Sequence, residues 1–276
     1  MPFFKTSDGI NLHYRIAGKG KSIILVHGWA MNSHVWKYQV DELSRDFQVI
    51  AVDLRGHGKS AFSFQPSAFS LFNIFVQDLK GLVDSLGIKK IIPAGWSMAS
   101  FIIARYYFKY PEDVEKLIFI GGTPRFVSEN GYPHGQHKTM IKRLKQNLKR
   151  DYKKHIKDFC GKFFMSGEEI EKNRSAEIEK ILFNDDFPPP EETAFQTLYS
   201  LINDDIRNRL KDIKAPVLIV HGDIDKICPT GAGRYMAGEM QDSKLVILKG
   251  AGHAPFLTQP EKVNKEIKEF IATDFH

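Results

Sequence analysis

Six short runs of consecutive apolar residues recur along the chain, at Ile23 to Val26, Val49 to Val52, Ile91 to Ala94, Leu117 to Ile120, Val217 to Val220 and Leu245 to Leu248. Most are followed by Gly or Asp and then by a helical pattern. A strand covered on both faces loses the apolar-polar alternation of a half-exposed one, so these runs predict parallel strands inside an α/β sheet. Ahead of them, Phe3 to Thr6 and Leu12 to Ile16 alternate on either side of Asp8-Gly9, the pattern of an antiparallel hairpin. The expected architecture is an eight-stranded, mostly parallel sheet with an antiparallel start. Helical stretches near 70–86, 98–109, 229–240 and 260–272 would cover it.

The rhythm fails between about Thr123 and Ile213. Strand-like runs give way there to charged, amphipathic, helix-like sequence interrupted by Gly161, Gly167 and Pro188-Pro189-Pro190. This reads as an insertion between two strands, giving a core of 1–124 and 213–276 and a helical cap of 125–212. Binding sites in such sheets lie beyond the C-terminal strand ends, so an insertion leaving from one of those ends is placed over the site.

Composition narrows the class. With 276 residues, 42% of them hydrophobic, the chain can bury a full core as one α/β domain with an insertion. Two distant cysteines, Cys160 and Cys228, form no CxxC pattern and fit a reducing cytosol. Met1-Pro2-Phe3-Phe4-Lys5 lacks an export signal, and no apolar run approaches the roughly 18 residues of a membrane span. A cytoplasmic protein is expected. No His/Cys/Asp/Glu cluster has zinc-ligand spacing, so no metal is expected either.

The chemistry starts at Gly95-Trp96-Ser97-Met98-Ala99, between an apolar strand and the helix-like stretch Phe101 to Phe108. A turn this tight strains its middle residue, and small residues two positions either side let strand and helix approach so that the serine Oγ is lifted clear of the sheet. A serine nucleophile needs a base, and the base needs a carboxylate to fix its tautomer. His253, in Gly250-Ala251-Gly252-His253-Ala254-Pro255 after the last strand, is the candidate base; the competing His276 is the terminal residue. Two aspartates follow Val217 to Val220. Asp225 is favoured as the acid because Pro229 then starts the next helix, with Asp223 the alternative and a turn-former otherwise.

Attack would create an oxyanion needing two N–H donors. Met98 N–H, at the start of the helix after the nucleophile, is one candidate, and Trp29 N–H, in the loop His27-Gly28-Trp29-Ala30, is the other. His27 stands directly before a glycine turn and reads as a brace for that loop rather than a base. Asp53-Leu54-Arg55-Gly56-His57-Gly58-Lys59-Ser60 is rich in glycine but lacks GxxxxGK[ST] and GxGxxG spacing, so it reads as a buried supporting turn and not a nucleotide site.

Through His27-Gly28, Asp53-x-Arg55-Gly56-x-Gly58-x-Ser60, the Ser97 elbow, Asp225 and Gly252-His253, nearly the whole chain resembles the α/β-hydrolase superfamily. Within it, His27 to Trp36, Gly95-Trp96-Ser97-Met98 and His253-Ala254-Pro255-Phe256 look like the biotin-pathway pimeloyl-[acyl-carrier protein] methyl ester esterases. The resemblance implies a cofactor-free serine esterase that removes the methyl ester from a carrier-bound pimeloyl chain, with Trp96 lining the acyl site and Trp29 and Met98 supplying oxyanion amides. One departure is Ala99-Ser100, where that family usually carries glycines. A broad carboxylesterase, a C–C bond hydrolase or a perhydrolase would use the same triad. A ligand sensor or a scaffold for acidic partners is the non-enzymatic alternative.

Charge sharpens the partner question. Lys138 to Lys162 holds ten Lys/Arg against two acids, leaving 29 basic and 31 acidic residues elsewhere, so the basic excess resides there. Ile141, Leu144, Leu148 and Tyr152 recur at helical spacing, and Lys138, Lys142, Lys145, Lys149 and Lys153 fall on an adjacent exposed stripe. Arg143, Arg150 and Lys154 extend it. Such a stripe is either a plain solvated face or a docking surface for an acidic partner, and acyl carrier protein is acidic. Aromatic interleaving and nucleic-acid fold signatures are missing, so no nucleic acid or stable membrane association is expected.

Overall fold

Continuous burial marks the middle of the sheet. The computed structural model describes residues 2–61, 71–164, 168, 170 and 172–273. Its first strands are β1 (Phe3–Lys5), β2 (Asn11–Ala17) and β3 (Ser22–Val26), followed by α1 (Lys37–Leu43), β4 (Gln48–Val52), α2 (Leu71–Ser85), β5 (Ile91–Trp96) and α3 (Ala99–Lys109). After β6 (Leu117–Ile120) the described residues form the α-helices α4 (Lys138–Arg150), α5 (Tyr152–Cys160), α6 (Lys172–Leu182) and α7 (Glu191–Asn203). The chain then completes β7 (Val217–Gly222), α8 (Thr230–Glu239), β8 (Ser243–Leu248), α9 (Pro255–Thr258) and α10 (Pro260–Ala272). Every residue of β3, β5, β6 and β7 is buried, as apolar runs without alternation require.

This is the α/β-hydrolase fold. The eight strands lie in the order β1-β2-β4-β3-β5-β6-β7-β8, antiparallel across β1-β2 and β2-β4 and parallel thereafter. The expected hairpin is present, with Phe4 opposite Leu12. Register aligns the exits: Val26 pairs with both Val52 and Gly95, Trp96 with Ile120, and Gly222 with Leu248. The loops carrying His27, Ser97, Gly121, Asp225 and His253 therefore leave one edge of the sheet.

Helix positions follow their apolar spacing. Leu71, Phe72, Phe75, Val76, Leu79, Leu82 and Val83 of α2 are buried, and Phe72 stacks on Phe101 of α3 with centroids 5.7 Å apart. On α10, Val263, Ile267, Phe270 and Ile271 turn inward. Its last turn ends against Lys116, whose buried ammonium donates to Phe270 O at 2.9 Å and Ile271 O at 3.1 Å. A cation at a helix C-terminus satisfies carbonyls that have no partner within the helix.

Two features differ from the sequence reading. Helices α1 and α9 were not anticipated, being seven and four residues long with few apolar positions. The face expected from Ile141 to Tyr152 breaks at Asp151, which ends α4 and caps α5 by accepting the Lys154 N–H at 3.1 Å. Tyr152, Lys153 and Lys154 thus belong to a second helix rather than to one stripe. Residue 70 of the expected helix, Gly167 and His276 lie outside the described residues. Among the described residues no helix is long and apolar enough to cross a membrane.

Candidate active site

Ser97 sits between the end of β5 and the start of α3 with φ of 56°, and among the described residues only Ala30 shares a positive φ without being glycine. An L-residue held there costs roughly 1–2 kcal/mol, so the surroundings must impose it. They do. Ser97 N–H donates to Ile120 O of the neighbouring strand at 3.0 Å. A Cβ on Gly95 would come within 2.8 Å of Ala99 O, so glycine is required for strand and helix to close this turn.

Asp225 and His253, the candidate acid and base, lie within hydrogen-bond distance of each other. His253 Nδ1 lies 2.8 Å from Asp225 Oδ2, and both residues are buried. A carboxylate accepts only, so the imidazole proton sits on Nδ1 and the Nε2 lone pair is left for another proton. Asp225 Oδ1 accepts the N–H groups of Ile227 at 2.8 Å and Cys228 at 2.9 Å. Burial pushes the Asp225 carboxyl up, but His253 and His221 beside it outweigh burial and hold it well below the usual carboxylate range. Asp223 instead accepts the Gly250 N–H at 2.7 Å and shapes the exposed turn between the loops.

The loop after β3 closes the site from the other side. Gly28 packs against the elbow, where a Cβ would lie 3.3 Å from Ser97 Cβ. Among the described residues neither Trp29 N–H nor Met98 N–H has a partner within the protein. Ala30, at φ 62°, gives this loop a left-handed turn, a feature alanine does not announce in a sequence. His27 braces it: Nδ1 donates to Gly28 O at 2.8 Å and Nε2 accepts the Leu54 N–H at 3.1 Å. That pattern requires a neutral ring, and burial pushes the His27 pKa down accordingly.

Leu54 belongs to the turn read as structural. Asp53 accepts His13 Nδ1 at 2.7 Å, Ser33 N–H at 2.6 Å and Lys59 N–H at 3.0 Å. Burial raises its carboxyl, yet these donors win and bring it down from 3.8 to about 2. A carboxyl depressed on folding stabilises the protein fully above its unfolded pKa and loses that contribution as pH falls through the folded one. Unfolding free energy should therefore drop between pH 4 and pH 2, and Asp53→Asn should flatten that decline in urea titrations. Parallel pH slopes in the two proteins would show that Asp53 contributes nothing to it.

Two cavities adjoin one another, and the inner one reaches the serine. The inner one, about 10 Å³, is bordered by Ser97, His253, Gly28, Trp29 and Trp96 and by side chains from the inserted helices. The outer one, about 850 Å³, has an apolar lining that includes Phe126, Ile141, Leu144, Phe159 and Ile227, and a charged rim on which Arg143, Arg150, Lys162 and Lys226 outnumber Asp158. Phe126, Leu144, Phe159 and Ile227 border both. Lys138, Lys142, Lys145, Lys149, Lys153 and Lys154 are exposed and lie outside both linings. Lys226 was not anticipated, since it lies on the acid's loop and far from the basic segment.

The inserted region holds the site directly. Phe163 O accepts the His253 N–H at 2.9 Å, and Ala194 O accepts the Trp29 indole N–H at 2.9 Å. Trp96 borders the inner cavity but also donates its indole N–H to His253 O at 2.9 Å, which fixes the histidine loop. Cys228, set aside in the sequence as an isolated thiol, is buried on the Asp225 loop, and burial pushes that thiol well above its ordinary value.

A serine on a strained elbow, an Asp–His pair beyond two later strands and free amides beside the serine are the layout of a serine hydrolase. Residues 21–260 match the family model of the α/β-hydrolase fold, and the chain belongs to that family of hydrolytic enzymes. It is 32% identical over 274 residues to AB hydrolase superfamily protein YisY of Bacillus subtilis (strain 168), covering 97% of this chain and 98% of that protein. It is 31% identical over 252 residues to a pimeloyl-[acyl-carrier protein] methyl ester esterase of Nitrosomonas europaea, covering 91% and 96%. An esterase from Exiguobacterium antarcticum has a similar structure, with TM-score 0.88 and 26% identity over 98% of this chain and 99% of that one.

Proposed function

We propose that this chain is a serine carboxylesterase with Ser97, His253 and Asp225 as its triad. His253 Nε2 takes the Ser97 proton as Oγ attacks the ester carbonyl carbon, and the oxyanion is received by the N–H groups of Trp29 and Met98. Collapse breaks the bond to the alcohol, which leaves with the proton from His253. Water then gives a proton to His253 and adds to the acyl-enzyme, and the second collapse returns the proton to Ser97 as the carboxylic acid departs. The observation that carries this reading is that the left-handed Ser97 and the Asp225-paired His253 border one cavity.

The preferred substrate is pimeloyl-[acyl-carrier protein] methyl ester. The outer cavity offers an apolar bed for an acyl chain, ending at a rim where four cations outnumber Asp158. Residues 125–212 form the cap, and its exposed Lys142, Lys145 and Lys149 face the solvent from which an acidic carrier arrives. The resemblance to the Nitrosomonas europaea enzyme supports the same substrate.

Charge reversal tests it. Lys142→Glu, Lys145→Glu and Lys149→Glu together should lower kcat/KM for the carrier-bound methyl ester roughly tenfold or more while leaving a p-nitrophenyl ester within about twofold, because steering acts only on a charged partner. Equal effects on both esters would reject carrier docking and leave a broad carboxylesterase. Binding of acyl carrier protein without turnover of either ester would instead make the protein a scaffold.

A further inference from the structure

A second imidazole reaches the acid. His221, the fifth residue of β7, is fully buried, and its Nε2 lies 2.6 Å from Cys228 O and 3.4 Å from Asp225 Oδ2. A carbonyl only accepts, so Nε2 carries the proton. Nδ1 has no hydrogen-bond partner, and it faces α8 where a Cβ on Gly233 would come within 2.7 Å. Protonating Nδ1 would bury an unpaired N–H in that contact, so the ring is neutral, with one N–H shared between a carbonyl and a carboxylate.

The placement ties the acid loop at both ends. Asp225 is locked through Oδ1 by the amides of Ile227 and Cys228, and those amides stay aimed only while the loop 225–228 stays closed. His221 pins the far end of that loop by its carbonyl and touches the near end at Oδ2. One buried ring therefore sets the position of the carboxylate paired with His253 and of the amides that lock it.

We propose that His221 is a positioning residue for the reaction, a neutral donor that holds the Asp225–Cys228 loop and through it the tautomer and aim of His253. The proposal rests on the triad stated above. His221 touches no substrate, so its removal acts on kcat rather than on KM. Displacing a reacting group by about an ångström costs on the order of 100-fold in rate, which sets the scale for losing this pin.

Glutamine and asparagine separate the donor from the ring. In His221→Gln the amide N–H reaches the former Nε2 position, whereas in His221→Asn it falls short by one methylene. The expected result is kcat within about threefold of the parent for His221→Gln, and roughly 10- to 100-fold lower for His221→Asn at unchanged KM. The downfield proton resonance of His253 Nδ1–H should persist in the first and shift or broaden in the second. Equal kcat in both variants with an unmoved resonance overturns the proposal, as does a failure of both to fold, which makes His221 a folding residue. Ser97→Ala, run alongside, keeps the two readings apart: turnover in that variant rejects the triad itself, while a dead Ser97→Ala beside a fully active His221→Asn rejects His221 alone.

Discussion

Replacing Ser97 with alanine lowers kcat on a short p-nitrophenyl ester by roughly 10⁴- to 10⁶-fold while the thermal midpoint stays within about 2 °C of the parent. Activity goes because the acyl-enzyme cannot form. Stability survives because the elbow is held by its surroundings: Ser97 N–H still donates to Ile120 O, and the close approach of Gly95 to Ala99 does not involve the side chain. Alanine adopts the left-handed region no more readily than serine, so the strain of the turn is the same in both proteins. A variant that unfolded would instead point to a structural serine.

Asp225→Asn carries the second large effect, a loss of roughly 10³- to 10⁴-fold in kcat with KM nearly unchanged. The carboxylate now accepts from the Ile227 and Cys228 amides on one oxygen and from His253 on the other. An amide has one acceptor end and one donor end, so it satisfies the loop or the Nδ1–H tautomer of the imidazole but not both. With its oxygen kept on the loop, its NH₂ faces His253 Nδ1, and the ring must put its proton on Nε2, toward the nucleophile. The base is then spent before the reaction begins. Nitrogen-15 chemical shifts of His253 would record the tautomer change, and a variant retaining kcat within tenfold would show that the pairing orients nothing.

The sheet was legible because burial on both faces forces unbroken apolar runs. Ile23 to Val26, Ile91 to Ala94 and Val217 to Val220 all lie within fully buried strands. Short elements were not: α1 buries Gln39, Val40 and Leu43 over seven residues, too few turns for a period to emerge. At Asp151 the apolar period runs straight through a helix break, and the informative signal was the capping aspartate rather than the periodicity. The strained elbow could be anticipated from the small residues around Ser97, yet its partner at Ala30 could not, since alanine carries no left-handed signature.

Within the site, the Asp225–His253 pair followed from strand order, which fixes which loops share an edge. Contacts made by backbone atoms were out of reach of any residue pattern. Phe163 O on the His253 N–H and Ala194 O on the Trp29 indole depend on how the inserted helices settle against the core. The same holds for Lys226, which joins the rim of the outer cavity from the core side, and for His221, whose meaning appears only when β7 and its following loop close on themselves. The chemistry was written locally, and the walls that select among esters were written in long-range packing.

Intact-protein mass spectrometry after rapid acid quench, with a slowly turned-over p-nitrophenyl ester, reads the central claim directly. The account predicts a mass increase of one acyl group per chain, mapped by peptide digestion to Ser97 and absent in Ser97→Ala. Steady turnover with no acyl adduct, or an adduct on any other residue, would contradict it.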